Sequence, residues 1–511
     1  MSKGKLVAVC VIWLALFGIG AAMWRLVVTP LRQNAVEEIE TIREAETLNA
    51  TKGSSPYKHE VTIALDSFSG YAVLRSPQFS EALRRRQIKL TLVDDAANYV
   101  ERLEGLRSGQ TQMAAFTIDA LLKTSSLVSQ TPATIVALID ETQGADAMLA
   151  SKSVVKNVDD LNHPDTRFVV TPDSPSETLA RVVMSTFSLD QLVADPFVFA
   201  NDANDVFDRY RASGKDSRQI FVVWEPYVSK ILANDSLHVV IDSSRFTGYI
   251  VDCLVADRDF LLKQPEVAQA VVETYFRVLY EFRQSDVMQR LVIADAGKDL
   301  QMTAAVAEKL VSGIRWINTQ ENFSHFGLRS DGESQHISDM IENITGVLLK
   351  TGAIKTDPTK GDASRLFYDK LLMSLRDGGF HPGDETETIH QAEELPELTD
   401  VQWDSLAPVG TLAVPDLVFA RGTQTLTQAS QYTLDTLVET LKNWPQYYVV
   451  VQGDATRRGD LAANKDLALR RAQETENYLV RNGVSARQIR ATAIEPSGVT
   501  RVTFQLAQVP Y

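Results

Sequence analysis

The stretch that most limits what this chain can fold into is residues 448–483, where a β-branched run gives way to a helix-periodic one. Val449, Val450 and Val451 lead to Gly453, a polar loop carries Gly459, and Leu467, Ala468, Ala472, Tyr478 and Leu479 then recur along one helix face. Strand, loop and long helix in that order require a sheet for the strand to join and for the helix to cover. This end of the chain is therefore expected to be a small α/β domain.

The polar positions add to the pattern. Gly453, Gly459, Asn464, Leu467, Arg471, Ala472, Tyr478, Leu479 and Gly483 stand in the register of the OmpA-like peptidoglycan-binding domain, which the stretch resembles. The resemblance implies a module working outside the cytoplasm at the murein wall. It also implies that an aspartate and an arginine grip the ammonium and carboxylate of diaminopimelate in the peptide stem. Arg471 matches the arginine, and its planar fork suits a carboxylate. Thr456 stands where the family has the aspartate. Residues two apart in extended chain face the same way, so Asp454 is expected to replace it, with Asp460 a poorer substitute. Asn464 completes the expected wall-binding set. One lost charge-assisted bond, about 1.5 to 3 kcal/mol, implies weak or altered wall binding; the alternative is a wall-binding fold kept as a protein-interaction module.

Length and charge frame the rest. A chain of 511 residues has room for two to four domains, and 51 basic against 66 acidic residues argue against a nucleic-acid partner. Cys10 and Cys253 are the only cysteines, so neither a disulfide framework nor a cysteine metal site is available. Residues 6–24 carry no charge and are long enough for a bilayer core of roughly 30 Å. An uncleaved inner-membrane anchor fits better than a cleaved signal, because the run is long and Trp24 and Arg25 follow it directly. Residues 34–49 read as a charged helical stalk with Val36, Ile39 and Ile42 on one stripe.

From residue 61 onward, strand-like and helix-like runs alternate, as in a parallel sheet with crossover helices. In detail, Gly70 and Tyr71 after the first strand, the loop at residues 117–120, and the segments at 139–150, 157–161 and 174–178 are similar to type II periplasmic solute-binding proteins. So are the WEPY segment at 224–227 and the return strand near 249–255. The nitrate, sulfonate and thiamine-precursor group is the nearest match. The resemblance implies a two-lobed cleft for a small solute, presented to a transporter or another envelope protein.

In doubly wound sheets ligands sit beyond the carboxyl ends of the strands, at helix N-termini with unpaired N–H groups. The candidate ligand residues are Ser67, Ser69, Gly70 and Tyr71; Thr117; Ser174, Ser176 and Thr178; Trp224 and Tyr227 as aromatic walls; and Asp252. Each hydroxyl alone is an ordinary helix cap, and a lone aromatic is ordinarily core. An anionic solute suits the helix ends, whereas Asp66, Glu225 and Asp252 could receive a cationic group. No hydrolase, Walker or dinucleotide motif is present, and nothing calls for a metal or cofactor.

The expected fold class is α/β: a two-lobed periplasmic-binding-protein fold plus a small OmpA-like domain, preceded by one transmembrane helix. The expected boundaries are 1–28 for tail and anchor, 29–57 for the stalk, 58–377 for the binding body, 378–405 for an extended acidic tether, and 406–511 for the OmpA-like domain. The function expected is an anchored periplasmic solute binder tied to peptidoglycan; the alternative is an envelope scaffold that has lost its ligand.

Overall fold

The computed structural model describes residues 57–296, 303–329, 334–384, 387–390 and 394–510. The apolar run at 6–24 and the stalk at 34–49 lie outside them; among the described residues no helix is long and apolar enough to cross a membrane.

In chain order the strands are β1 (His59–Leu65), β2 (Ile88–Asp94), β3 (Met113–Thr117), β4 (Ala133–Thr142), β5 (Asp146–Ser151), β6 (Arg167–Val170), β7 (Phe197–Phe199) and β8 (Gln219–Trp224). There follow β9 (Leu237–Asp242), β10 (Val251–Asp257), β11 (Ile314–Trp316), β12 (Ala407–Thr411), β13 (Tyr448–Asp454), β14 (Ile489–Ala493) and β15 (Arg501–Gln508). They form three sheets, ordered β11-β4-β10-β3-β1-β2, β7-β6-β8-β5-β9 and β12-β15-β13-β14. The first two are the cores of two lobes, and the third belongs to the C-terminal domain.

Strand direction decides where the polar turns end up. In the first lobe β1 runs parallel to β3, and β10 runs antiparallel to both β3 and β4. The carboxyl ends of β1, β3 and β4 therefore lie along one edge, carrying Asp66, Thr117 and Asp140. In the second lobe β6 and β8 are parallel, with β5 antiparallel to β8, so the turn after β6, Trp224 and Asp146 share one edge. The chain crosses between the lobes after β4 and returns after β9. All residues of β3 and β4 are buried, as in strands covered on both faces; each large apolar side chain there stabilises the lobe by roughly 1.5–3 kcal/mol.

Four helices place the candidate residues: α1 (Ile118–Ser125), α2 (Pro175–Thr186), α3 (Gln428–Lys442) and α4 (Leu461–Arg481). Thr117 and Ser174 cap the first two, each side chain accepting from a backbone N–H at 3.3 Å, and Pro175 opens α2 where a missing N–H costs nothing. In the C-terminal domain α4 lies directly on β13. A Cβ at Gly453 would collide with the Ala468 carbonyl of that helix, which accounts for the glycine in the sequence pattern.

The segment expected as an extended tether at 378–405 has no helix or strand over residues 387–390 and 394–399, but it does not hang loose. Its described residues are bonded at both ends: Asn318 Nδ2 donates to Thr388 O at 2.8 Å and His390 N to Glu321 Oε1 at 3.1 Å. Further on, Tyr448 OH donates to Pro396 O at 2.8 Å, and Arg487 pairs with Glu394 at 2.7 Å. Hydrogen bonds, not apolar periodicity, hold this segment, so its composition reads as unstructured.

Candidate functional sites

The first site lies on α4 and the loop before α3. Arg471 points its Nε–H at Thr423 O, 2.9 Å away, and its guanidinium carbon sits 5.0 Å from the centre of the Phe419 ring. No carboxylate pairs with it among the described residues, and burial lowers its pKa. Asn464 Nδ2 donates to Thr456 O at 3.1 Å and to Arg458 O at 2.8 Å, so this side chain shapes the loop after β13. The Thr456 hydroxyl accepts from Arg458 N at 3.2 Å within the same loop.

Asp454 does not take the role expected of it. Only 3% exposed, its carboxylate accepts from Ala455 N at 2.7 Å, from Ser497 N at 2.9 Å and from the Ser497 hydroxyl. Burial opposes its ionisation, yet these bonds hold its pKa below the ordinary carboxylate range. It anchors the 497 loop rather than offering a charge to an ammonium. Asp460 caps α4, accepting from Ala462 N and Ala463 N at 2.9 and 3.1 Å.

The second site is the meeting of the lobes. Register places Thr117, Asp252, Asp140 and Trp316 in one row across β3, β10, β4 and β11. The Tyr71 hydroxyl donates to Asp252, and Trp316 Nε1 donates to Gly70 O at 2.9 Å. Gly70 is pressed so closely on Asp140 that a Cβ would collide with its Oδ2. Among the described residues, neither oxygen of Asp140, nor Oδ2 of Asp252, meets an N–H or O–H donor of another residue. Burial, and after it the charge of the neighbouring Asp140 carboxylate, opposes ionisation of Asp252. Burial drives both pKa values up, that of Asp140 to about 8.

The remaining expected ligand groups are bonded within the chain. The Ser176 hydroxyl donates to Asp146 Oδ1 at 2.8 Å, and burial raises the pKa of that aspartate to about 6. Across the lobes, the Thr178 hydroxyl donates to Asp119 Oδ2 at 2.7 Å, and Lys123 lies 3.3 Å from both Asp173 and Glu177. Asp66 pairs with Arg102 at 3.0 Å, while Glu225 accepts from the Ser229 hydroxyl at 2.8 Å. Trp224 and Tyr227 pack on the apolar core of the second lobe. Ser67 is exposed and Ser69 half-buried at the first turn. The structure thus gathers Gly70, Tyr71, Thr117 and Asp252 around the carboxyl pair, with Ser174 and Ser176 on the facing lobe.

Sequence reasoning missed Asp119, Asp140, Asp146 and Trp316 here, and Phe419 and Thr423 at the first site. One signal was available: Asp140 and Glu141 interrupt an otherwise apolar buried strand. Among the described residues no group of three or more His, Cys, Asp or Glu is arranged to hold a metal ion.

Residues 418–498 match the OmpA family. Over 81 residues the chain is 36% identical to the peptidoglycan-associated lipoprotein of Rhizobium meliloti (strain 1021), covering 16% of this chain and 46% of that protein. The chain thus spans about half the length of that relative. Among solved structures, a periplasmic sulfonate-binding protein of Methylobacillus flagellatus KT is 14% identical with a TM-score of 0.48, covering 64% of this chain and 98% of that one. The aliphatic sulphonate-binding protein of Escherichia coli is 14% identical with a TM-score of 0.45, covering 67% and 97%. The assignment of the two lobes rests on the chain's own strand order. Residues 418–498 thus match the OmpA family, and they follow a body whose strands form two α/β lobes.

Proposed function

We propose that the chain is a cell-envelope protein whose OmpA-family domain grips peptidoglycan through Arg471 while its two-lobed body receives a small solute between the lobes. The observation that carries the wall half is the Arg471 guanidinium, held in position by Thr423 and Phe419 and left without a carboxylate partner among the described residues. The 36% identical relative, named for its association with peptidoglycan, supports the same reading. The charge-free run at 6–24 supports an inner-membrane anchor with the bulk of the chain in the periplasm.

For the solute, the groups at the lobe junction favour a hydrogen-bond donor or a cation over an anion. Among the described residues no lysine or arginine forms an ion pair with Asp140, Asp146 or Asp252, and hydroxyls that could have served an anion already serve carboxylates. Those same bonds favour a second reading, an envelope scaffold whose lobes no longer take a ligand and which presents itself to a transporter or other envelope partner. Mass spectrometry of the supernatant after denaturing protein purified without added ligand separates the two. A stoichiometric small molecule supports the solute reading, and its reproducible absence supports the scaffold.

A further inference from the structure

We propose that the wall site is set by the second lobe: a strap at residues 410–426 is fixed to that lobe at one end and holds Arg471 at the other. Grip on peptidoglycan then belongs to the whole chain and changes when the lobe moves. The inference rests on the reading of Arg471 as the wall-binding cation.

At the anchored end, Thr411 N donates to Asp159 Oδ1 at 2.7 Å and its hydroxyl to Oδ2 at 3.1 Å. Ser188 N donates to Thr411 O at 2.9 Å, and Ala413 N to Thr186 O at 2.8 Å. Gly410 lies so close that a Cβ would stand 2.7 Å from the Phe187 ring and 2.9 Å from Val158. Asp159, Thr186, Phe187 and Ser188 all belong to the second lobe.

At the far end, Phe419 and Thr423 are the two residues that position Arg471. The loop that carries them is closed on itself: Ala420 N donates to Thr425 O at 2.9 Å and Thr427 N to Val418 O at 3.1 Å. Thr411 in turn pairs with Gln505 of β15, and Leu412 N donates to Phe504 O at 2.8 Å, so a displacement at Thr411 passes to the braced loop along the chain and into the sheet that α4 covers.

A second contact ties the domain to the returning crossover between the lobes. Thr247 N donates to Asn443 O at 2.9 Å, and Trp444 packs against Phe246 and Phe187 at ring distances of 5.3 and 5.5 Å. Opening the lobes must carry the domain along or break these contacts, and either changes what the strap is anchored to.

The test is retention of full-length protein on purified sacculi at low salt, for the wild type, Asp159→Ala and Asp159→Asn, with hydrogen exchange read over residues 418–426. Asp159→Ala is expected to bind about fivefold or more weakly, a typical allosteric coupling, with faster exchange in the loop. Asp159→Asn keeps an oxygen for Thr411 N and is expected to fall between; it carries the test in the same direction if the alanine variant does not fold. Wild-type retention matched by both folded variants overturns the coupling and leaves the wall reading intact. A wild type that stays in the supernatant removes the wall reading and the coupling with it.

Discussion

The wall site and the lobe junction are assembled from the same materials, capped helices, short polar turns and single charges, and they end in opposite states. At the wall site one cation is held by a backbone carbonyl and a ring and faces no carboxylate among the described residues. At the lobe junction the hydroxyls of Tyr71, Ser176 and Thr178 each meet a carboxylate of the chain itself. A polar turn at the end of a strand marks where charge can be held; whether a ligand or the protein supplies that charge depends on residues far away in sequence.

The largest effect is expected where the two regions are joined. Trp444 is fully buried between Phe187, Phe246 and Tyr447, so Trp444→Ala should cost about 3–5 kcal/mol in denaturant unfolding. It should also split one unfolding transition into two, as the C-terminal domain loosens from the body. A single transition at the wild-type midpoint would show that the contact does not couple them.

Asp454→Ala sharpens the account of the wall site. Two hydrogen bonds from Ser497 and one from Ala455 N are lost, at a cost of about 1.5–3 kcal/mol for bonds to a charged group. Retention on sacculi should change less than stability does. Loss of retention at unchanged stability would restore Asp454 as a ligand group.

Gly70→Ala probes how full the lobe junction is. The new methyl meets Asp140 and the Phe68 ring, and overpacking of this kind costs about 1–3 kcal/mol. Wild-type thermal stability in this variant would mean that the junction has slack enough for a ligand beside Asp140.

A further effect is one of pH. Asp140 has its pKa raised from 3.8 to about 8, so the native state keeps a proton that the unfolded chain releases above about pH 4. With more protons bound in the native state, stability must fall as pH rises from about 4 to about 8, and the decline ends above the folded pKa. Asp140→Asn has no such proton to lose; its advantage over the wild type should be absent near pH 4 and greatest at pH 8. Parallel pH profiles for the two proteins would rule out a proton held by Asp140 in the native state.

The legible part of this molecule was the part set by short-range geometry. Gly453 and Ala468 are small because strand and helix touch there, and that forced pair fixes the register that also locates Arg471 and Asn464. The positions of the cleft turns were legible too, because strand direction alone sends Gly70, Thr117 and Ser174 to facing edges. Their partners were not. Ser176 finds Asp146 at a separation of 30 residues, and Thr178 finds Asp119 at a separation of 59 residues, distances along the chain that carry no local pattern. Phe187 and Trp444 each read as core of their own domain, and nothing in their neighbourhoods announces that they pack on each other.

The central claim, that Arg471 is an open cation for the wall while the Ser176 hydroxyl at the lobe junction already serves a carboxylate of the chain, is tested most directly by co-sedimentation of full-length protein with purified sacculi. The wild type should sediment at low salt and be released as salt rises. Arg471→Ala should lose about ten- to a hundredfold in affinity, the equivalent of one charge-assisted contact. Ser176→Ala should sediment like the wild type, since its hydroxyl serves Asp146. Wild-type protein remaining in the supernatant, or Arg471→Ala sedimenting with it unchanged, would contradict the claim.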